Sequence, residues 1–158
     1  MKYVDTKVVM QEVPDEITLA INISNCPCHC KSCHSSYLAE DIGEDLSIER
    51  LTQLSTEAEG ITCIAFMGGD ADPKRINRLA KWVKERLDLK VCWYSGRDEI
   101  SDEINLTNFD YIKIGHYDKE AGPLYKPTTN QRMYKVNKFF VNPILVDITD
   151  RFWNKDLN

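Results

Sequence analysis

The chain has 158 residues, 42% hydrophobic and 28% charged, with a formal net charge of −5. That length suits one domain with a sizeable core and leaves little room for a second. The acidic balance disfavours non-specific binding to nucleic acid or to an anionic membrane, and the longest apolar stretch, around "ITCIAFMGG", is too short to span a bilayer.

In chain order, the opening "MKYVDTKVVMQEVPDE" has no apolar h-region behind a basic n-region and does not read as a signal peptide. A cytoplasmic, reducing location is the resulting expectation, and there a cysteine-dense motif binds metal or does chemistry more often than it forms disulfides. "EITLAINIS" alternates Ile17, Leu19, Ile21 and Ile23 with smaller or polar residues, which predicts a strand. It runs into "NCPCHCKSCH", where Cys26, Cys28, Cys30 and Cys33 share one loop with His29 and His34. "SIERLTQLSTEA" then sets Ile48, Leu51, Leu54 and Ala58 at helical intervals behind Ser47 as N-cap. "ITCIAFM" is short and almost wholly apolar, as a strand buried on both faces would be, and it stops at "GGD".

"DPKRINRLAKWVKERL" is the strongest helix signal. Asp72 can cap it, Pro73 fits the first helical position, and Ile76, Leu79, Ala80, Val83 and Leu87 form one apolar stripe. Its basic residues read as a solvated face rather than a nucleic-acid patch. "LKVCWYSG" and "FDYIKIG" predict two more strands, the first followed by a short helix near Asp98 to Ile104. Within the strands, Cys63 and Cys92 read as small buried hydrophobes. Trp93 and Tyr94 alternate faces, so one should pack in the core while the other faces the site. From His116 to Met133 runs a long polar stretch without periodicity, a kind of loop that is usually functional or mobile. "MYKVNKFFV" and "ILVDITDRFW" add a last strand or two.

Strands alternating with helices predict an α/β fold with a mainly parallel sheet. The chain is too short for a complete eight-fold barrel, which takes about 250 residues. The expectation is a partial, open TIM-like (β/α) barrel forming a single domain over residues 1–158. In such a sheet "NCPCHCKSC", "MGGD", "YSGR" and "IGHYD" all follow the C-terminal ends of predicted strands. That rim is where ligands and catalytic groups collect.

Structural zinc sites usually take two short Cys/His pairs separated by a longer loop. Here everything comes from one tight loop, with Cys26, Cys30 and Cys33 spaced as C-x3-C-x2-C. Zinc held by Cys26, Cys28, Cys30 and Cys33 stays possible but strained, and an iron–sulfur cube fits better. Three cysteines would leave one iron without a cysteine, and an open metal position signals chemistry.

C-x3-C-x2-C after one strand and "GGD" after the next resemble the radical S-adenosylmethionine superfamily. Within it, "CPCHCKSC", "MGGDADP", "VCWYSGRDEI" and "TTNQRMY", in that order, resemble the activating proteins of anaerobic (class III) ribonucleoside-triphosphate reductase. The resemblance implies that Cys26, Cys30 and Cys33 bind a 4Fe–4S cluster whose fourth iron chelates S-adenosylmethionine. It implies that Gly68, Gly69 and Asp70 contact the amino group of the methionine moiety, and that Ser95 and Gly96 line the cofactor pocket. Asn130, Gln131 and Arg132 resemble the family's "NQR" element, which could bind cofactor, order the long loop or meet the partner. Cys28 would be a bystander, and His29 and His34 polar loop residues.

The implied activity is reductive cleavage of S-adenosylmethionine, giving a 5′-deoxyadenosyl radical that creates a glycyl radical on the reductase. A low-potential donor such as flavodoxin or ferredoxin would supply the electron; nucleic acid and membrane are not expected partners. The loop from His116 to Met133 is the candidate contact surface for the reductase. The chain departs from the family pattern at Ser32 and His34, where aromatic residues are usual, and at Ile114, where an Asp is common, with Lys113 one step earlier. Two rival readings share the cysteines: an activase of another glycyl-radical enzyme of formate-lyase type, and a structural metal or electron-transfer module.

Overall fold

A computed structural model of the chain describes residues 1–139 and 141–153. Phe140 and the last five positions, 154–158, which the expected single domain included, lie outside the described residues. Among the described residues, eight strands form one open sheet: β1 (Lys2–Val9), β2 (Thr18–Ile23), β3 (Glu44–Asp45), β4 (Cys63–Met67), β5 (Lys90–Tyr94), β6 (Tyr111–Ile114), β7 (Arg132–Asn137) and β8 (Ile144–Asp147). Their order is β3-β1-β2-β4-β5-β6-β7-β8. Two helices, α1 (Ile48–Glu57) and α2 (Pro73–Arg86), link β2 to β4 and β4 to β5. The architecture is therefore mixed α/β.

The expectation of a mainly parallel sheet needs correcting. The central pairs β2–β4, β4–β5 and β5–β6 are parallel, while the pairs β1–β2, β1–β3, β6–β7 and β7–β8 are antiparallel. Parallel neighbours need a long crossover, which α1 and α2 supply for the middle strands; the flanking strands return antiparallel through connections without a helix, short between β7 and β8 and long between β6 and β7. The short helix expected near Asp98 to Ile104 is also absent: that stretch is bends and turns, and a 3-10 turn follows at Leu106–Asn108. The N-terminal strand β1 gave no clear periodic signal, because as a strand near the sheet edge most of its side chains are at least partly exposed.

The predicted caps form. Ser47 accepts the Arg50 N–H at 3.1 Å and Asp72 accepts the Arg75 N–H at 3.0 Å. Pro73 opens α2, whose Ile76, Leu79, Ala80 and Val83 are buried. Full burial of an Ile, Leu or Val side chain stabilises by about 1.5–3 kcal/mol, so this stripe fixes α2 on the sheet.

The period of two in the central strands divides the core. Leu19, Ile21, Ile23, Ile64, Phe66, Val91, Trp93 and Ile112 pack with α1 and α2. Cys63, Ala65, Cys92, Tyr111 and Met133 face the other way, against Val13, Leu124 and Phe152 from loops and the C-terminal 3-10 turn. Helices thus cover one face, and three irregular segments cover the other. No helix among the described residues is long and apolar enough to cross a membrane.

Candidate active site

The four loops singled out in the sequence do meet on one rim, because β2, β4, β5 and β6 run parallel. The cysteine loop is pinned at its base: Asn25 N–H donates to Glu40 O at 2.9 Å and Cys26 N–H to Leu38 O at 2.9 Å. Between these anchors Asn25, His29 and Ser32 take left-handed backbone, with φ of 59°, 45° and 63°. Three such residues in a stretch without glycine are costly and persist where the surroundings over-determine them, often at ligand clamps. They curl the loop so that Cys26, Cys30 and Cys33 all line one cavity of about 210 Å³, with His29, Ser35 and Ser36.

All six cysteines are free thiols. Cys63 and Cys92 are fully buried, as the strand pattern predicts, and burial pushes both thiols up. Hydrogen bonding between Cys26 and Cys28 favours the Cys26 thiolate, drawing that group below the ordinary thiol range and pushing Cys28 above it.

The fit to a cluster turns on how the thiols are arranged. Among the described residues no three His, Cys, Asp or Glu side chains converge tightly enough to hold a single metal ion. A cubane makes a different demand, because each thiolate binds its own iron. Three thiols spaced around a cavity suit that donor set.

Asp70 is the hub of the neighbouring turn. Ser95 Oγ donates to Asp70 Oδ1 at 2.5 Å, Gly96 N–H donates to Oδ2 at 2.9 Å, and Cys28 Sγ lies 3.9 Å from Oδ2. The buried Asp70 carboxylate therefore clamps the end of β5 to the end of β4 and touches the cysteine loop. Gly68 is held on both sides, its N–H donating to Tyr94 O and its carbonyl accepting Trp93 Nε1–H at 2.8 Å. Gly69 has φ +91°, and a Cβ there would lie 2.5 Å from Ile76 Cδ1. Only glycine fits that turn. On the next strand, Gly115 N–H donates to Arg97 O, and His116 Nδ1 lies 2.7 Å from Asp98 Oδ1.

The "NQR" element stands apart from this hub. Asn130 Nδ2 donates to His116 O at 3.0 Å, and Arg132 Nη1 donates to Thr129 O and Gln131 O. Both side chains brace the ends of the long loop. Gln131, between them, lines a cavity of about 580 Å³.

That cavity brings together residues that the motifs did not join. Asn22, Met67, Tyr94 and Lys113 are register partners across β2, β4, β5 and β6, one row on the face away from the helices, and all four line it. Trp93 is fully buried while Tyr94 faces the cavity, as the alternation predicts. Lys113 is 7% exposed, and burial lowers its ammonium to about 8 against the opposing pull of Asp70, Cys30, Cys28 and Asp98. The row was hidden in the sequence because register between strands far apart in the chain cannot be read from periodicity. His34 closes the cavity toward the cysteine loop, edge-on to Tyr117 at 6.0 Å between ring centres. The chain matches no family model, no curated protein and no solved structure.

Proposed function

We propose that the chain is a radical S-adenosylmethionine enzyme that generates a glycyl radical on anaerobic ribonucleoside-triphosphate reductase. One observation carries the reading: the C-x3-C-x2-C thiols line a single cavity on the same rim as the Gly-Gly-Asp turn and the "YSG" loop, and Cys28 of the same loop meets both through Asp70. On this reading the open sheet is a partial TIM-like barrel, and its face away from the helices is the reaction chamber.

Cys26, Cys30 and Cys33 would hold the 4Fe–4S cluster. When bound, the cluster and S-adenosylmethionine supply one-electron cleavage of a carbon–sulfur bond, the hard chemistry that side chains cannot provide. The chain's residues orient and enclose. Asp70, fixed by Ser95 and Gly96, presents a carboxylate toward a ligand ammonium, and Gly68 and Gly69 let backbone approach it closely. Asn130 and Arg132 act at one remove, by holding the loop that lines the chamber. That loop, from His116 to Met133, is the surface offered to the reductase, and a low-potential flavodoxin or ferredoxin would supply the electron.

The test uses anaerobically reconstituted protein. Electron paramagnetic resonance of the reduced sample should show a cluster signal that changes on adding S-adenosylmethionine. 5′-Deoxyadenosine should form and should disappear in Cys26→Ala. A glycyl-radical signal on the reductase, and none on a formate-lyase-type protein, would fix the partner. A zinc-loaded, resonance-silent protein that makes no 5′-deoxyadenosine would overturn the reading in favour of a structural metal module.

A further inference from the structure

The outer edge of β1 is only partly covered. β3 pairs with Lys2 and Tyr3 alone, so over residues 4–9 the strand has a β neighbour on one side, β2, and none on the other. Which backbone groups face the open side follows from β2. Thr62 N–H donates to Ile17 O on the β4 side, whereas Ser24 N–H donates to Lys2 O on the β1 side. Backbone groups alternate along a strand, so Thr18, Ala20 and Asn22 bond toward β1, to their register partners Val9, Lys7 and Asp5. Thr6 and Val8 therefore turn their N–H and C=O groups outward. An unpaired row of this kind is a template for another strand.

The side chains fit this edge to itself. Residues 4–8 read V-D-T-K-V, an acid and a base placed symmetrically about Thr6. Asp5 and Lys7 are exposed and share the face away from the helices, opposite Asn22 and Ala20. Asp5 accepts from Asn22 Nδ2 at 2.5 Å. Neither Asp5 nor Lys7 joins an ion pair among the described residues. On the opposite face Val8 is 46% exposed.

Two copies related by a two-fold axis normal to the sheet can pair antiparallel only where outward backbone groups meet. Three registers satisfy that condition near Thr6. Asp5 set against Asp5, or Lys7 against Lys7, puts like charges together, which destabilises a cross-strand pair. Thr6 set against Thr6 makes Asp5 face Lys7 twice over, lets the two Thr6 residues exchange both backbone N–H···O bonds, and carries Val8 toward Val4 of the other copy. Charge selects that register.

We propose that the open edge of β1 is a docking surface for a second copy of this chain, paired antiparallel about Thr6 with Asp5 and Lys7 in reciprocal ion pairs. The sheet then runs on through both molecules, with the helices of both on one side. This surface goes beyond the proposed function and does not rest on it.

The test is sedimentation of the full chain over a dilution series, with a thiol reductant present. The wild type should shift from the monomer mass of 18.2 kDa toward twice that value as concentration rises. Asp5→Lys alone and Lys7→Asp alone each set like charges across the axis and should weaken self-association by about tenfold or more. Mixing these two variants should restore a dimer containing one of each, because every facing pair is then opposite in sign. The double variant Asp5→Lys/Lys7→Asp should associate as the wild type does. Thr6→Pro removes an outward N–H without touching the β2 ladder and should be monomeric where the wild type is dimeric.

A wild type that is monomeric up to its solubility limit overturns the proposal. So does a dimer that survives the single charge changes, or a pair of folded single variants that fail to recombine. Should a single variant lose its circular dichroism, the double variant and Thr6→Pro decide. The readout needs neither cluster nor turnover, so absence of 5′-deoxyadenosine would sink the proposed function without touching this result.

Discussion

Gly96, Cys28 and Asp70 show how single atoms hold the rim together. A Cβ on Gly96 would lie 2.8 Å from Cys28 Sγ, 3.3 Å from Cys28 Cβ and 3.7 Å from Asp70 Oδ2. Overpacking of that kind costs about 1–3 kcal/mol. Gly96→Ala should therefore lower the unfolding free energy from urea titration by that amount, and the loss should shrink when Cys28→Ala is present, since the closest clashing atom is then gone. Equal losses in both backgrounds would show that the thiol is not what fills the space. The cysteines also separate by role under the proposed function. Cys30→Ala should fail to retain iron and sulfide on anaerobic reconstitution, while Cys28→Ala should retain both, as chemical iron and sulfide analysis would report. A matching loss in the two variants would point to four equivalent ligands. At this scale the sequence said much about Cys26, Cys30 and Cys33, because their spacing is local. It said little about Lys113, whose register partners are Tyr94 of β5 and Met133 of β7.

Elements that carry their own start signals were legible. α2 begins at Pro73 behind Asp72, as its capping chemistry predicts. Asp72→Ala should cost about 1 kcal/mol, the usual value of an N-cap side chain, read as a fall in thermal midpoint with the helix signal in circular dichroism otherwise unchanged. No shift would mean that packing of Ile76, Leu79 and Val83 alone sets the helix start. The stretch from Asp98 to Ile104 shows the opposite case. Its residues suggested a weak helix, yet the backbone goes elsewhere: Asp98 receives the N–H of His116 and Asn105 N–H reaches Asn77 Oδ1. Tertiary partners outbid a weak local propensity there. β1 escaped notice for a related reason, since it pairs with β2 on one side and only the two residues of β3 on the other.

Across the whole molecule, Asp110 staples elements distant in the chain. Its carboxylate accepts from Lys84 of α2 at 2.9 Å, Val91 N–H of β5 at 2.8 Å and Lys138 beyond β7 at 3.0 Å. Burial alone would raise this carboxyl, but those bonds outweigh it and hold the group below the usual carboxylate value. A carboxyl lowered on folding contributes stability that is complete above its ordinary value, about 3.9, and is lost as pH falls through the lower folded value. Asp110→Asn should thus reduce stability by roughly 1–3 kcal/mol at pH 6. Urea midpoints from pH 6 to pH 2 should fall less steeply for the variant than for the wild type. Parallel curves would remove Asp110 from the acid sensitivity of the fold. At the same N-terminal end of the parallel strands, Glu16 gathers Thr62, Tyr111 and Lys90 into a second network, so two neighbouring carboxylates tie the starts of β4, β5 and β6.

By itself the sequence determined the two helices with their caps, the central strands and the convergence of four loops on one rim. Those features follow from local periodicity and from the direction that helical crossovers impose on parallel strands. It also marked the three cysteines, because their C-x3-C-x2-C spacing is written within eight residues. Only the tertiary structure decided that the outer pairs run antiparallel, that Asp70 spends its oxygens on Ser95 and Gly96, and that Asn130 and Arg132 brace a loop. It alone aligned Asn22, Met67, Tyr94 and Lys113 into one row beneath a cavity. The reason is common to all of these: they depend on strand register and on contacts between residues far apart in the chain, which a hydrophobic pattern constrains only to a face and not to a neighbour.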